Sequence, residues 1–291
     1  MKISNIPIIV ILSLLFAGCV PQAVTPESNA TSTIAPVPTA TVVDPASWNL
    51  VWSDEFDQPN GSAPDPQKWN QQEGGSGWGN GELQHYTKGT NNSFIEDGML
   101  VIQAKEEYML GRDYTSARLT TQFKGDWMYG RFEIHARLPT TQGIWPAVWL
   151  LPSRARYGSG PAGGEIDIRE LIGKEPGRSY ATLHYGNPAE HSSGWYDLPA
   201  STTYSDDFHT FAVEWEPNEI RWYIDDTLYH SAKEWFTSAK KDAKFPAPYD
   251  QDFYLIVNVA VGGTWPGSPD ETSIFPQVLY VDYVRVYQHP Q

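Results

Sequence analysis

From about residue 48 onward the sequence predicts an all-β protein, built as two antiparallel sheets packed face to face. Three observations predict it. Apolar and polar residues alternate in short runs, the runs are separated by Gly, Pro, Asn and Asp, and almost no stretch keeps a helical period. At 291 residues, 40% of them hydrophobic and 19% charged, the chain is long enough for one sizeable core. Sandwiches of more than roughly 200 residues form single domains.

Taken in order, the chain opens with Lys2 and an apolar run over residues 6–17, the pattern of an export signal too short to cross a bilayer. The run ends in Phe16-Ala17-Gly18-Cys19, which resembles the bacterial lipobox cleaved before an acylated cysteine, with Phe16 where Leu is usual. Residues 1–18 are therefore expected to be a lipoprotein-type signal and Cys19 the lipidated residue. The exported protein would be a periplasmic or cell-surface lipoprotein that meets the membrane only through that lipid. Cys19 is the only cysteine, so no intramolecular disulfide can form. Residues 19–47 are rich in Pro, Thr and Ala with few large apolar side chains, too little to bury for folding, and read as a tether. The remaining 48–291 would form the sandwich, expected to be a monomer.

Only Lys2, Glu27 and Asp44 are charged before Trp48, so the net charge of −15 belongs to the main body. Nucleic acid and anionic bilayer surfaces are excluded as partners on that ground. Within the body, residues 131–138 alternate cleanly. Residues 219–224 run into Asp225-Asp226, a hairpin turn before residues 227–230. Residues 211–215, 253–259 and 279–287 read as further strands, and residues 231–244 as the main helical or loop exception.

The chemistry concentrates in Gly163-Gly164-Glu165-Ile166-Asp167-Ile168-Arg169-Glu170-Leu171. Residues two apart share a strand face, so Glu165 and Asp167 point together while unbroken alternation would send Glu170 away. A β-bulge at Ile168-Arg169 corrects the phase and puts all three acids on one surface. Glu165 and Glu170 then behave as i and i+4, roughly 13 Å apart at Cα. Two glutamates leaning together can close to the ~5 Å used by retaining glycosidases, in which one carboxylate attacks the anomeric carbon and the other protonates the leaving oxygen. Three acids in six residues could also be a solvated strand edge. Ile166, Ile168, Leu171 and Ile172 argue against that, because burying acids in an apolar run is unfavourable without a use for them.

Glu165-Ile166-Asp167-Ile168-Arg169-Glu170 resembles the signature of glycoside hydrolase family 16, in the bulged form of its laminarinase branch, and the resemblance runs from about Trp52 to Tyr287. It implies a concanavalin-like jelly roll with an open cleft on the concave face. It further implies an endo-β-1,3-glucanase with Glu165 as nucleophile, Glu170 as acid/base and Asp167 sharing a proton between them.

Other stretches would line such a cleft. Aromatics are 13% of the chain, 12 of them Trp, and flat rings with a polar handle suit sugars. Trp145 and Trp149 fall on one strand face. The resemblance makes them the floor beside the scissile bond, makes Asn80 a hydrogen-bonding group for a sugar on the non-reducing side, and extends Arg118 into the same region, although a strand Arg is equally a surface ion-pair partner. It places His184 near the acid/base, where a lone strand His is otherwise commonly structural, and has Trp265 close over a distal sugar. It implies no catalytic cofactor. It also implies a structural Ca²⁺ on the convex face held by Glu55, the Gly98 carbonyl and Asp282, unless Asp282 is simply a polar residue facing solvent.

The seven His show no metal-ligand spacing, and there is no Gly-x-Ser-x-Gly elbow, phosphate loop or dinucleotide fingerprint. Three functions compete: a β-1,3-glucanase, a mixed-linkage β-1,3-1,4-glucanase or other β-glycan hydrolase, and a non-catalytic glucan-binding domain. Retention of all three acids favours an enzyme. Sulfated polymers would need compensating cations, and the chain has only 20 Lys and Arg against 35 acids.

Overall fold

The computed structural model describes residues 48–290. The expected export signal, Cys19 and the tether lie outside the described residues. In chain order the strands are β1 (Asn49–Asp54), β2 (Asn70–Gln71), β3 (Gln84–Tyr86), β4 (Ser93–Glu96), β5 (Met99–Met109), β6 (Arg112–Ser116), β7 (Arg118–Thr120), β8 (Asp126–Trp127) and β9 (Gly130–Arg137). They continue with β10 (Ile144–Pro152), β11 (Glu165–Glu170), β12 (Arg178–Tyr185), β13 (Glu190–Asp197), β14 (His209–Glu216), β15 (Glu219–Ile224), β16 (Thr227–Ala232), β17 (Phe253–Val261) and β18 (Gln277–Gln288).

These strands form the two-sheet sandwich that the alternation predicts. One sheet runs β16-β15-β14-β9-β18-β5-β6-β3, with β1 beside β18 and β4 beside β5; the other runs β13-β12-β11-β10-β17-β7-β2, with β8 beside β17. Pairing is antiparallel except between β3 and β6, which run parallel. The period of two is explicit in β9, where Phe132, Ile134 and Ala136 are buried and the residues between them are half-exposed. Their inward faces meet Phe211, Trp215, Trp222 and Phe253 in a single core.

Asp225 and Asp226 both take left-handed φ, 47° and 62°, which gives the two-residue turn that joins β15 to β16 with Ile224 opposite Thr227. Residues 231–244 hold no helix. Ser231 and Ala232 still belong to β16, and the rest is irregular, pinned by buried Trp235, whose indole stacks on Phe245 at 4.9 Å and donates to the Pro246 carbonyl at 2.8 Å. One anchoring ring replaces the apolar stripe that a helix would need.

Two residues expected to hold calcium, Glu55 and Asp282, are engaged by side chains of this chain. Both carboxylate oxygens of Glu55 are taken by Arg285, at 3.0 and 2.8 Å, and this bidentate pair holds the Glu55 carboxyl below its usual range. Asp282 bonds His135 at 2.8 Å. The Glu55–Arg285 pair joins the end of β1 to β18.

Where β11 begins, Gly164 has φ of 88°, and a Cβ there would lie 2.9 Å from the Tyr249 ring and 3.1 Å from Pro248. Only glycine meets both demands at little cost. Gly164→Ala is therefore expected to lower stability by about 2 kcal/mol, a fall in Tm of several degrees. A melting curve within 1 °C of wild type, on the order of a quarter to half a kcal/mol, would contradict this.

Candidate active site

Glu165 opens β11 and is half-buried; Asp167 and Glu170 are only 2% and 9% exposed. The strand carries the bulge where the spacing places it. Against β12, Asp167 pairs with Thr182 and Glu170 with Tyr180, so Ile168 and Arg169 together oppose Ala181 alone. Against β10, Ala147, Val148 and Trp149 pair with Glu170, Arg169 and Asp167, which leaves Ile168 as the extra residue. The three acids consequently line one cavity of about 460 Å³, together with Asn80, Arg118, Trp145, Trp149, His184 and Trp265. Every catalytic and sugar-binding candidate named from the sequence thus faces the same space.

The bulge is held from behind. Trp222 of β15, in the other sheet, donates its indole N–H to the Asp167 carbonyl at 2.9 Å. Arg169 turns into the core, where it is fully buried, its guanidinium 5.2 Å from the Phe211 ring and none of its nitrogens hydrogen-bonded. Burial pulls its pKa down to about 9. Tyr249 donates to the His184 carbonyl at 2.6 Å, fixing β12 at the entrance to β11.

The triad is largely buried, and its three acids crowd one another. Burial first and then neighbouring Asp167 push the Glu165 carboxyl up to about 8, with His184 and Arg118 pulling against them. Burial likewise takes Asp167 up to about 8, eased by a hydrogen bond with Glu165. Glu170 rises well above the usual carboxylate range, from burial first and then from the charges of Asp167 and Glu165. His184 Nε2 lies 3.3 Å from Asp167 Oδ2. Trp145 donates its indole N–H to Glu170 Oε1 at 3.1 Å, so one ring both walls the cavity and aims the carboxyl.

The far wall rests on a polar network that sequence reading left largely unassigned. Glu82, 4% exposed, accepts from Asn80 at 3.1 Å, Gln84 at 2.7 Å and Tyr86 at 3.1 Å. Tyr86 in turn accepts from Asn258 at 3.2 Å, and Asn258 accepts the Trp149 indole N–H at 2.7 Å. Arg118 lies between the Trp78 and Trp149 rings, 4.9 and 4.6 Å from their centroids, and donates to Gln72 at 2.5 Å. Stacked this way it is a wall of the site and not a surface ion pair. Asn258 carried a signal in the sequence, a single amide inside the apolar run of β17. Trp265 packs edge-on against Trp145 and Tyr180, at 5.5 and 5.1 Å.

One group of acids and histidines among the described residues is close enough to share a metal ion. It is Glu165, Asp167 and His184, with one ligand atom of each within 4.8 Å of the others. The carboxyls already have a use there as a proton-sharing cluster: a protonated acid and an ionisable one, in an aromatic-walled cleft, are what cleavage of a glycosidic bond requires.

Known proteins resemble this chain in sequence and in fold. A β-glucanase from Rhodothermus marinus is 48% identical over 250 residues, spanning 83% of this chain and 85% of the relative. The X-ray structure of the laminarinase from the same organism superposes with a TM-score of 0.74 at 47% identity, covering 84% of this chain and 98% of that one. The laminarinase catalytic domain from Thermotoga maritima MSB8 gives 0.75 at 42% identity, over 84% of this chain and all of the other. Residues 80–284 match the glycosyl hydrolases family 16, and with the acid triad inside that span the chain belongs to this family of glycoside hydrolases.

Proposed function

We propose that this protein is an endo-acting β-1,3-glucanase that cleaves with retention of configuration. The observation that carries the reading is the bulge, which gathers Glu165, Asp167 and Glu170 in one water-poor cluster where Glu170 holds its proton well above the usual carboxylate range. In the first step an oxygen of ionised Glu165 bonds to the anomeric carbon as the glycosidic C–O bond breaks, and the Glu170 proton passes to the departing oxygen. In the second, water attacks the same carbon, Glu170 takes its proton, and the bond to Glu165 breaks. Asp167 shares a proton with Glu165, so Glu165 can ionise as the substrate arrives. The aromatic walls exclude water and stack against sugar faces. The β-1,3 linkage is supported by the glucanase relatives.

Glu170→Gln is expected to lower kcat by about 10²–10⁴-fold on laminarin. With azide present, Glu165→Ala should form an α-glycosyl azide by a single inversion, and Glu170→Ala a β-glycosyl azide. The opposite pairing, read by NMR, would exchange the two roles. Faster cleavage of lichenan than of laminarin would move the substrate to mixed-linkage glucan.

The same buried acids make stability depend on pH. A carboxyl whose pKa is about 8 in the folded state and about 4.5 when unfolded keeps a proton that unfolding releases, so stability falls as pH rises from about 4.5 to about 8. Glu165→Gln removes the share of this dependence that Glu165 contributes. Its Tm should match wild type near pH 4.5 and exceed it increasingly toward pH 8; a constant difference across that range would refute the assignment.

We further propose that the enzyme is exported and anchored through a lipid on Cys19, on the strength of the sequence around that residue. Mass spectrometry of the mature protein should find an acylated Cys19 as its first residue. A mature chain that starts elsewhere would overturn the anchor.

A further inference from the structure

The cleft has an extension that its enclosed part does not include. Three rows of directly opposed residues cross β11, β12 and β13: Glu165 with His184 and His191, Asp167 with Thr182 and Ser193, and Glu170 with Tyr180 and Trp195. The first two rows face the cavity throughout, and in the third Glu170 and Tyr180 do. Trp195 completes that row on the edge strand, two strand spacings, ~10 Å, from Glu170.

The other face of β13 is committed to packing, which fixes where Trp195 points. Ser192 bonds His230 at 3.2 Å, Tyr196 meets Tyr229 edge-on at 6.0 Å, and a Cβ on Gly194 would lie 2.7 Å from His230. Residues 192, 194 and 196 therefore face β16, and alternation leaves 191, 193 and 195 on the cleft side. Trp195 is nevertheless 55% exposed. The Arg178 guanidinium stacks 5.3 Å from its ring and is itself held by Asp197 at 2.7 and 3.0 Å. A large apolar ring kept open to water and steadied by a clamped cation is suited to stacking on a sugar face.

We propose that Trp195 is a sugar-stacking platform for a unit of the polymer beyond those held in the enclosed cavity, on the β13 side of the scissile bond. It would set the preference for long chains over short ones. The proposal rests on the glucanase reading above.

The test compares Trp195→Ala and Trp195→Phe with wild type on laminarin and on the β-1,3-linked trisaccharide. For Trp195→Ala the ratio of kcat/KM on polymer to that on trisaccharide should fall about tenfold, mainly through KM on the polymer, and Trp195→Phe should restore most of it. Tm should stay within about 1 °C of wild type, the expectation for an exposed surface substitution. An unchanged ratio, or a proportional loss on both substrates with a lowered Tm, would overturn the platform and leave a structural role. If wild-type enzyme cuts another β-glycan instead of laminarin, the substrate reading fails, and the same ratio measured on that polymer and its trisaccharide still decides the role of Trp195.

Discussion

A strand repeats every two residues, and the chemistry here needs acids at positions 165, 167 and 170 on one side. The bulge reconciles the two, and much of the structure is arranged to keep it. It removes one residue from register with both neighbours, β10 and β12, so Trp145 and Trp149 on one side and Tyr180 on the other meet the triad at the heights they do. The Trp222 indole holds the Asp167 carbonyl from the opposite sheet. Without the extra residue Glu170 would turn into the core and Arg169 into the cleft, and a guanidinium would replace the proton donor.

Electrostatics and packing work against each other at this strand. Three carboxyls share a space walled by Trp145, Trp149 and Trp265, and each is harder to ionise than it would be in water. Directly behind them Arg169 is a buried cation without a hydrogen-bond partner. Both arrangements oppose folding, and the surrounding β-sandwich core tolerates them. Such local conflict is expected where function, not stability, has chosen the residues.

Much of this was legible in the sequence because it obeys short-range rules. Alternation marked β9, an apolar run marked β17, the paired aspartates marked the turn after β15, and the spacing of three acids required the bulge. What was not legible depends on partners distant along the chain. Nothing near Glu82 announces that it is the hub of a network reaching Asn258, and nothing near Glu55 announces that Arg285 will occupy it. The stretch after Ser231 was ambiguous for a related reason, since Trp235 finds its partners at residues 245–249. Arg118 was ambiguous until two rings, from residues 78 and 149, closed on it.

The place of β18 has a consequence for how the molecule is made. It is the last strand of the sandwich in the chain, yet it lies inside its sheet, with β9 along one side and β5 and β1 along the other. During synthesis those three strands emerge long before the one that unites them, and their open edges can pair with other chains while they wait. The sheet closes only once the ribosome has delivered its final strand, so folding here is a late, cooperative event governed by non-local pairing. A messenger cut short anywhere before β18 would yield not a weaker enzyme but a chain whose unpaired edges invite aggregation.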